Sequence, residues 1–154
     1  MGEVLFYHLT ATPLSRSLPE LLTRTLHRGW RAVVRAADPA RLAMVDDMLW
    51  TFDQASFLPH GTAALGSAEA QPVYLTCGTE NPARANVLML VEGARFSMSD
   101  AQDFERICMM FDGHAADAVQ AARADWVSVR DAGLTGRYWA QVDGKWTEKA
   151  TTGE

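Results

Sequence analysis

The sequence predicts an α/β fold in three layers, a mostly parallel or mixed sheet with helices on its faces. Three observations carry that expectation. The N-terminal third alternates strand, helix, strand, helix; the strands are short and apolar; and the alternation continues to a long helix near the C-terminus. Parallel strands need crossover connections that bury both faces of a sheet, so such strands read as apolar runs.

Each element has its own signal. Val4 to Leu9 alternates apolar and aromatic residues and stops at the turn-like Thr10-Ala11-Thr12-Pro13, giving a first strand. Leu18, Leu21, Leu22 and Leu26 fall on one helical face, so a helix is expected over Leu18 to His27. Ser17-Pro19-Glu20 is its start, and Gly29 its stop. Arg31 to Arg35 reads as a buried strand. Asp38 as N-cap and Pro39 in the first turn open a helix that turns Leu42, Val45, Leu49 and Met48 inward. The stretch from His60 to Gln71, GTAALGSAEAQ between them, is small and polar without periodicity and reads as a surface loop. Strands follow at Pro72 to Cys77 and Val87 to Val91, then a helical turn from Asp100 to Arg106 and a strand from Ile107 to Phe111. Asp112-Gly113 leads into a helix from Ala115 to Ala132 that Gly133 ends. Arg137 to Trp146, turning at Asp143-Gly144, is expected to form an edge hairpin.

Composition narrows the function. A chain of 154 residues fits one domain, 1–154. Its 48% hydrophobic and 21% charged residues suit a globular protein, and no apolar run approaches the roughly 20 residues that span a bilayer. The N-terminus lacks a basic n-region and cleavage site, so the cytoplasm is the expected location. Cys77 and Cys108 stand alone and are expected to be buried and apolar. A net charge of −5 repels a phosphate backbone; direct DNA binding would need a local basic patch, and the 14 Lys and Arg are dispersed along the chain.

Catalytic patterns are missing where they would be expected. The first strand-to-helix turn, HLTATPLSRSLPE, has no glycine to approach a pyrophosphate, and neither GxxxxGK[ST] nor GxSxG occurs. No cofactor and no metal site is expected. A small nucleotide-binding enzyme on a doubly wound sheet is the alternative reading. The carboxylate pairs Asp46-Asp47 and Asp100/Asp103 lie on amphipathic faces and read as solvated charge.

Two stretches stand out instead. LWTFDQASFLPH, from Leu49 to His60, sets Trp50, Phe52 and Phe57 at a helix end, where exposed aromatics act as interface anchors; burial in the core would account for them equally well. On the C-terminal helix, Ala118, Ala122, Trp126, Val129 and Gly133 share an arc with Val119 at its margin, and Arg123 and Arg130 border it. Arginines around a Trp suit a peptide with carboxylates and a hydrophobic terminus; the plainer reading is that their stems cover the edge of the core.

These residues resemble the chi-subunit family of the bacterial DNA polymerase III clamp-loader assembly. The resemblance rests on Phe6-Tyr7-His8-Leu9, on Leu49-Trp50 with Phe57-Leu58-Pro59-His60, on Val87-Leu88-Met89-Leu90, and on Ala122-Arg123 through Arg130 to Gly133; beyond about residue 134 the match is loose. It implies a Rossmann-like, non-catalytic replication subunit that bridges the clamp loader to single-stranded-DNA-binding protein and touches DNA only indirectly. By matching positions it implies a psi-facing surface at Trp50, Phe57 and Pro59. It also implies a site for the acidic, aromatic-ended tail of single-stranded-DNA-binding protein at Arg123, Trp126 and Arg130. Family members carry lysines around the matching arginine where this chain has Val119 and Val127, which implies either a weaker hold on the tail or compensation by Arg130 and Arg137.

Overall fold

A computed structural model describes residues 3–10, 14–51, 61–62, 73–78, 81, 84–142 and 145–152. The elements run β1 (Glu3–Leu9), α1 (Leu14–His27), β2 (Ala32–Arg35), α2 (Pro39–Thr51), β3 (Gly61–Thr62) and β4 (Val73–Thr76). They continue with β5 (Val87–Leu90), α3 (Met98–Asp103), β6 (Arg106–Asp112), α4 (Ala116–Asp131), β7 (Gly136–Val142) and β8 (Lys145–Thr152). The strands form one sheet in the order β3-β4-β2-β5-β6-β1-β7-β8, parallel throughout except for the antiparallel β7–β8 pair. This is the expected mostly parallel, Rossmann-like three-layer arrangement.

Side-chain alternation along the strands divides the interior in two. Leu5, Val34, Met89 and Cys108 face α1 and α2, where Leu18, Leu22, Val45 and Leu49 meet them. Phe6, Val33, Leu88 and Ile107 face α3 and α4, against Ala101, Ala122 and Val129. Every residue of β2, β4 and β5 is buried, as apolar runs in a doubly covered parallel sheet should be.

Both expected glycine stops are present. Gly29 (φ 80°) and Gly133 (φ 74°) take the left-handed conformation after α1 and α4. The N–H of Trp30 then reaches the Thr25 carbonyl and that of Leu134 the Val129 carbonyl, closing each helix end. Asp38 caps α2 by accepting the Arg41 N–H at 2.8 Å.

The structure departs from expectation at five places. Helix α1 begins at Leu14, because Leu14 extends the leucine stripe by a turn; Pro19 lies inside the helix instead of starting it, at the loss of one backbone bond. Gly61–Thr62, expected in a loop, pairs with β4 as a two-residue edge strand. The hairpin lies at the sheet edge as expected, but it runs past the expected end at Trp146, since β8 continues to Thr152 in register with Gly136. Cys77 is exposed, because β4 ends at Thr76 and Cys77 sits in the bend beyond it, whereas Cys108 is buried as expected.

The fifth departure is Asp100, which is not solvated. It lies buried in a bidentate pair with Arg35 of β2, at 3.0 and 3.3 Å, and accepts the Ser97 N–H at 2.8 Å. The pair ties α3 to the end of β2.

Candidate protein-binding surfaces

Helix α4 lies over β1, β6 and β7, and its two flanks differ. Ala122 and Val129 point into the core, as expected; Asp125, outside the expected arc, is buried beside them because Arg95 pairs with it. Trp126 and Val119 are partly buried against the same core. The Trp126 indole meets Phe6 edge-on at 5.5 Å and Tyr138 edge-on at 6.0 Å. Tyr138 in turn stacks on Phe6 at 6.3 Å, and its hydroxyl lies 2.7 Å from His8 Nδ1. The His8 ring packs against Phe111 at 5.0 Å. The result is a continuous aromatic floor, Trp126-Phe6-Tyr138-Phe111, fixed by a hydrogen bond at His8.

Arg123 stands exposed at the edge of this floor. It makes no ion pair or hydrogen bond among the described residues. Its charge acts on Tyr138: burial raises the Tyr138 hydroxyl above the ordinary tyrosine pKa, and Arg123 pulls against that rise. Arg130 is also exposed and among the described residues bonds only its neighbour Asp131, at 3.3 Å. Such a contact between solvated groups contributes little and leaves the guanidinium free to exchange partners. Arg123, Trp126 and Arg130 thus share one flank.

Arg137 does not belong to that flank. Strand alternation turns it to the opposite face from Tyr138, where it pairs with Glu3 and Glu148 at 3.6 and 3.1 Å. It cannot replace the lysines whose positions Val119 and Val127 occupy, and Val127 is exposed. Sequence reasoning missed Tyr138 and His8. The parity of β7, which brings Gly136 and Tyr138 under α4, was the available signal.

Of the other aromatic stretch, Trp50 lies in the last turn of α2, while Phe57 and Pro59 fall outside the described residues.

A cavity of about 870 Å3 opens on the other flank of α4, at the C-terminal ends of β1, β5 and β6. The connection from β1 runs toward β2 and that from β6 toward β7, so this is where the winding reverses and where open α/β sheets bind ligands. Its charges are wrong for a nucleotide. Glu92, Asp112, Asp117 and Asp125 line it, against Arg41 and Arg95. Both arginines are engaged, Arg41 with the Glu92 carbonyl at 2.8 Å and Arg95 with Asp125. Among the described residues no group of three or more His, Cys, Asp or Glu is placed to hold a metal ion, and no helix is long and apolar enough to cross a membrane.

Comparison with known proteins gives this arrangement a family. The model of the family described as DNA polymerase III chi subunit, HolC, matches residues 1–137, which take in both cores and all of α4. The probable DNA polymerase III subunit chi of Rickettsia prowazekii (strain Madrid E) is 25% identical over 91 residues, 59% of this chain. That stretch is 55% of the relative, so the chain spans about half the length of the protein it matches. With the family pattern running from β1 into β7, the chain belongs to the DNA polymerase III chi subunit family.

Proposed function

We propose that this chain is a non-catalytic, cytoplasmic accessory subunit of the DNA polymerase III holoenzyme in replication. As one domain, hairpin included, it bridges the clamp loader to single-stranded-DNA-binding protein. A psi subunit docks at the surface of Trp50, Phe57 and Pro59 as the partner in a heterodimer. The C-terminal tail of single-stranded-DNA-binding protein binds at Arg123, Trp126 and Arg130.

The observation that carries this reading is Arg123, an exposed guanidinium without an ion pair among the described residues, beside the aromatic floor of Trp126 and Tyr138. A carboxylate tail ending in an aromatic residue matches that surface in both charge and shape. A charge-assisted hydrogen bond contributes about 1.5–3 kcal/mol, so Arg123→Ala is expected to weaken a labelled acidic peptide ending in Phe roughly 10- to 150-fold in fluorescence anisotropy. Added salt weakens the wild-type complex as well. Unchanged affinity in the variant would remove Arg123 from the site. For the other surface, Trp50→Ala and Phe57→Ala are expected to fold and to lose co-purification with a psi subunit; variants that fail to fold would make those aromatics core.

A further inference from the structure

The arginines are dispersed in sequence but not in space. At the N-terminal ends of the strands, on the α1 side of the sheet, the Arg28 guanidinium lies over the Trp30 ring at 4.0 Å from its centroid, and that of Arg106 lies at 5.4 Å. Arg24, one turn up α1 from Arg28, acts with Arg106 on the Tyr7 hydroxyl beneath the helix. Arg106 continues the row to Glu3 at 2.8 Å, and Arg137 shares the same carboxylate. Arg31, next to Trp30, is exposed.

This edge therefore gathers five of the chain's arginines around a partly buried indole, with Glu3, Glu105 and Glu148 as the opposing carboxylates. Glu3 is shared between two of those arginines and Glu148 is bonded to Arg137. Arg24 and Arg28 are exposed and without an ion pair among the described residues. Between Glu20 and Asp38 the sequence has no acidic residue at all.

From this we infer a second binding surface, distinct from the tail site, which takes single-stranded nucleic acid: phosphates on Arg24 and Arg28, and a base stacked on the plane that Trp30 and Arg28 share. Two features favour that occupant. Guanidinium on indole is already a stacked pair, and a base extends such a pair over the exposed Arg28 guanidinium without a sequence requirement. Arg24 and Arg28, one helical turn apart, exposed and without an ion pair among the described residues, offer successive contacts to a repeating anion where a single terminal carboxylate would use one. The inference goes beyond the adaptor reading, since it gives the subunit its own contact with the strand.

The test is fluorescence anisotropy of the full chain with labelled oligothymidylate at low salt. Binding in the range of about 10–100 µM is expected, typical of sequence-independent contacts. Arg28→Gln and Arg24→Gln should each lower the slope of log affinity against log salt by about 0.7, the value of one single-strand phosphate contact. Trp30→Ala should cost roughly tenfold, with Trp30→Phe restoring most of it, as stacking requires. Arg123→Ala should leave oligonucleotide binding unchanged, and Arg28→Gln should leave tail-peptide binding unchanged, so the two surfaces stand or fall separately. Circular dichroism of each variant confirms its fold, and the exposed Arg24 and Arg28 decide the matter even where Trp30→Ala unfolds. No salt-dependent binding, or binding that the arginine variants leave intact, overturns the inference. Displacement of the oligonucleotide by polyglutamate at equal charge overturns it too, in favour of an acidic peptide.

Discussion

Replacing Asp100 with Asn removes one charge of the Arg35–Asp100 pair and leaves the shape nearly unchanged. The two side chains are 6% and 7% exposed, so the stranded Arg35 guanidinium has no water to turn to. Breaking a buried pair from one side costs about 3–5 kcal/mol. The lower end applies here, since Arg35 keeps its bond to the Arg95 carbonyl at 3.2 Å and the Asn carbonyl still accepts one N–H. About 3 kcal/mol corresponds to a fall in Tm of about 6–12 °C for a domain of this size. Thermal melts followed by circular dichroism measure it, and a urea titration with unchanged m shows that the loss is one of stability.

Two controls sharpen the argument. Arg35→Met with Asp100→Leu removes both charges and should recover most of the loss, because the penalty lies in the unpaired charge and not in the absent bond. The pH dependence is the second control. Burial pushes the Asp100 carboxyl up, but the Arg35 hydrogen bonds and the Ser97 N–H outweigh it, so its folded pKa lies below the ordinary value. A carboxylate depressed on folding contributes stability that is complete above its unfolded pKa, near 4, and is lost as pH falls through the folded one. The gap between wild type and Asp100→Asn should therefore be flat from neutral pH to about pH 5 and shrink below about pH 4. A single-variant loss under about 1 kcal/mol, or a gap that widens in acid, refutes the reasoning.

Two further outcomes follow from packing and burial. A Cβ at Gly113 would lie 2.2 Å from His8 Cδ2 and Nε2 and 2.8 Å from the Leu9 carbonyl oxygen. The His8 ring is held by Tyr138 and Phe111, so Gly113→Ala should destabilise by about 1–3 kcal/mol in urea denaturation, and a neutral result would mean that the ring moves freely. Cys77 is exposed, while burial pushes the Cys108 thiol up to about 12, so a thiol reagent should modify one cysteine at once and the other only on unfolding. Cys77→Ser should abolish the fast phase; two equal rates in the native protein would contradict the burial of Cys108.

What the sequence made legible is what local periodicity controls. β2, β5, β6 and α4 lie within a residue or two of expectation because apolar runs and a 3.6-residue stripe report burial directly. Gly29 and Gly133 were readable because each of these helix ends closes through a residue at positive φ. Proline misled at α1: a residue common in first turns reads as a start, yet the stripe already ran through Leu14. Asp100 was illegible because its partner lies 65 residues away, and no window around it contains Arg35. Tyr138 was hidden by topology, since only the insertion of β7 beside β1 brings it under Trp126. Arg123 could be placed on its flank by helical spacing, but that it has no ion pair among the described residues emerges only from the fold.

The same topology bears on how a chain of net charge −5 could hold anions at the two surfaces proposed for it. Four carboxylates, Glu92, Asp112, Asp117 and Asp125, line the cavity at the C-terminal ends of the strands. The arginines around Trp30 gather at the opposite ends. Strand β1 has seven residues and β5 four, so at about 3.3 Å per residue the two edges stand roughly 13–23 Å apart. That exceeds the screening length of about 8 Å at physiological ionic strength. A phosphate at Arg28 is therefore governed by the arginines beside it and not by the net charge, and Arg123 stands outside the carboxylate cluster on the far flank of α4. Lowering the salt lengthens the screening distance and brings the cavity's carboxylates into play. The affinity of the Trp30 edge should then rise less steeply at the lowest salt than counterion release alone would give, a curvature that neutralising the cavity with Asp117→Asn should straighten.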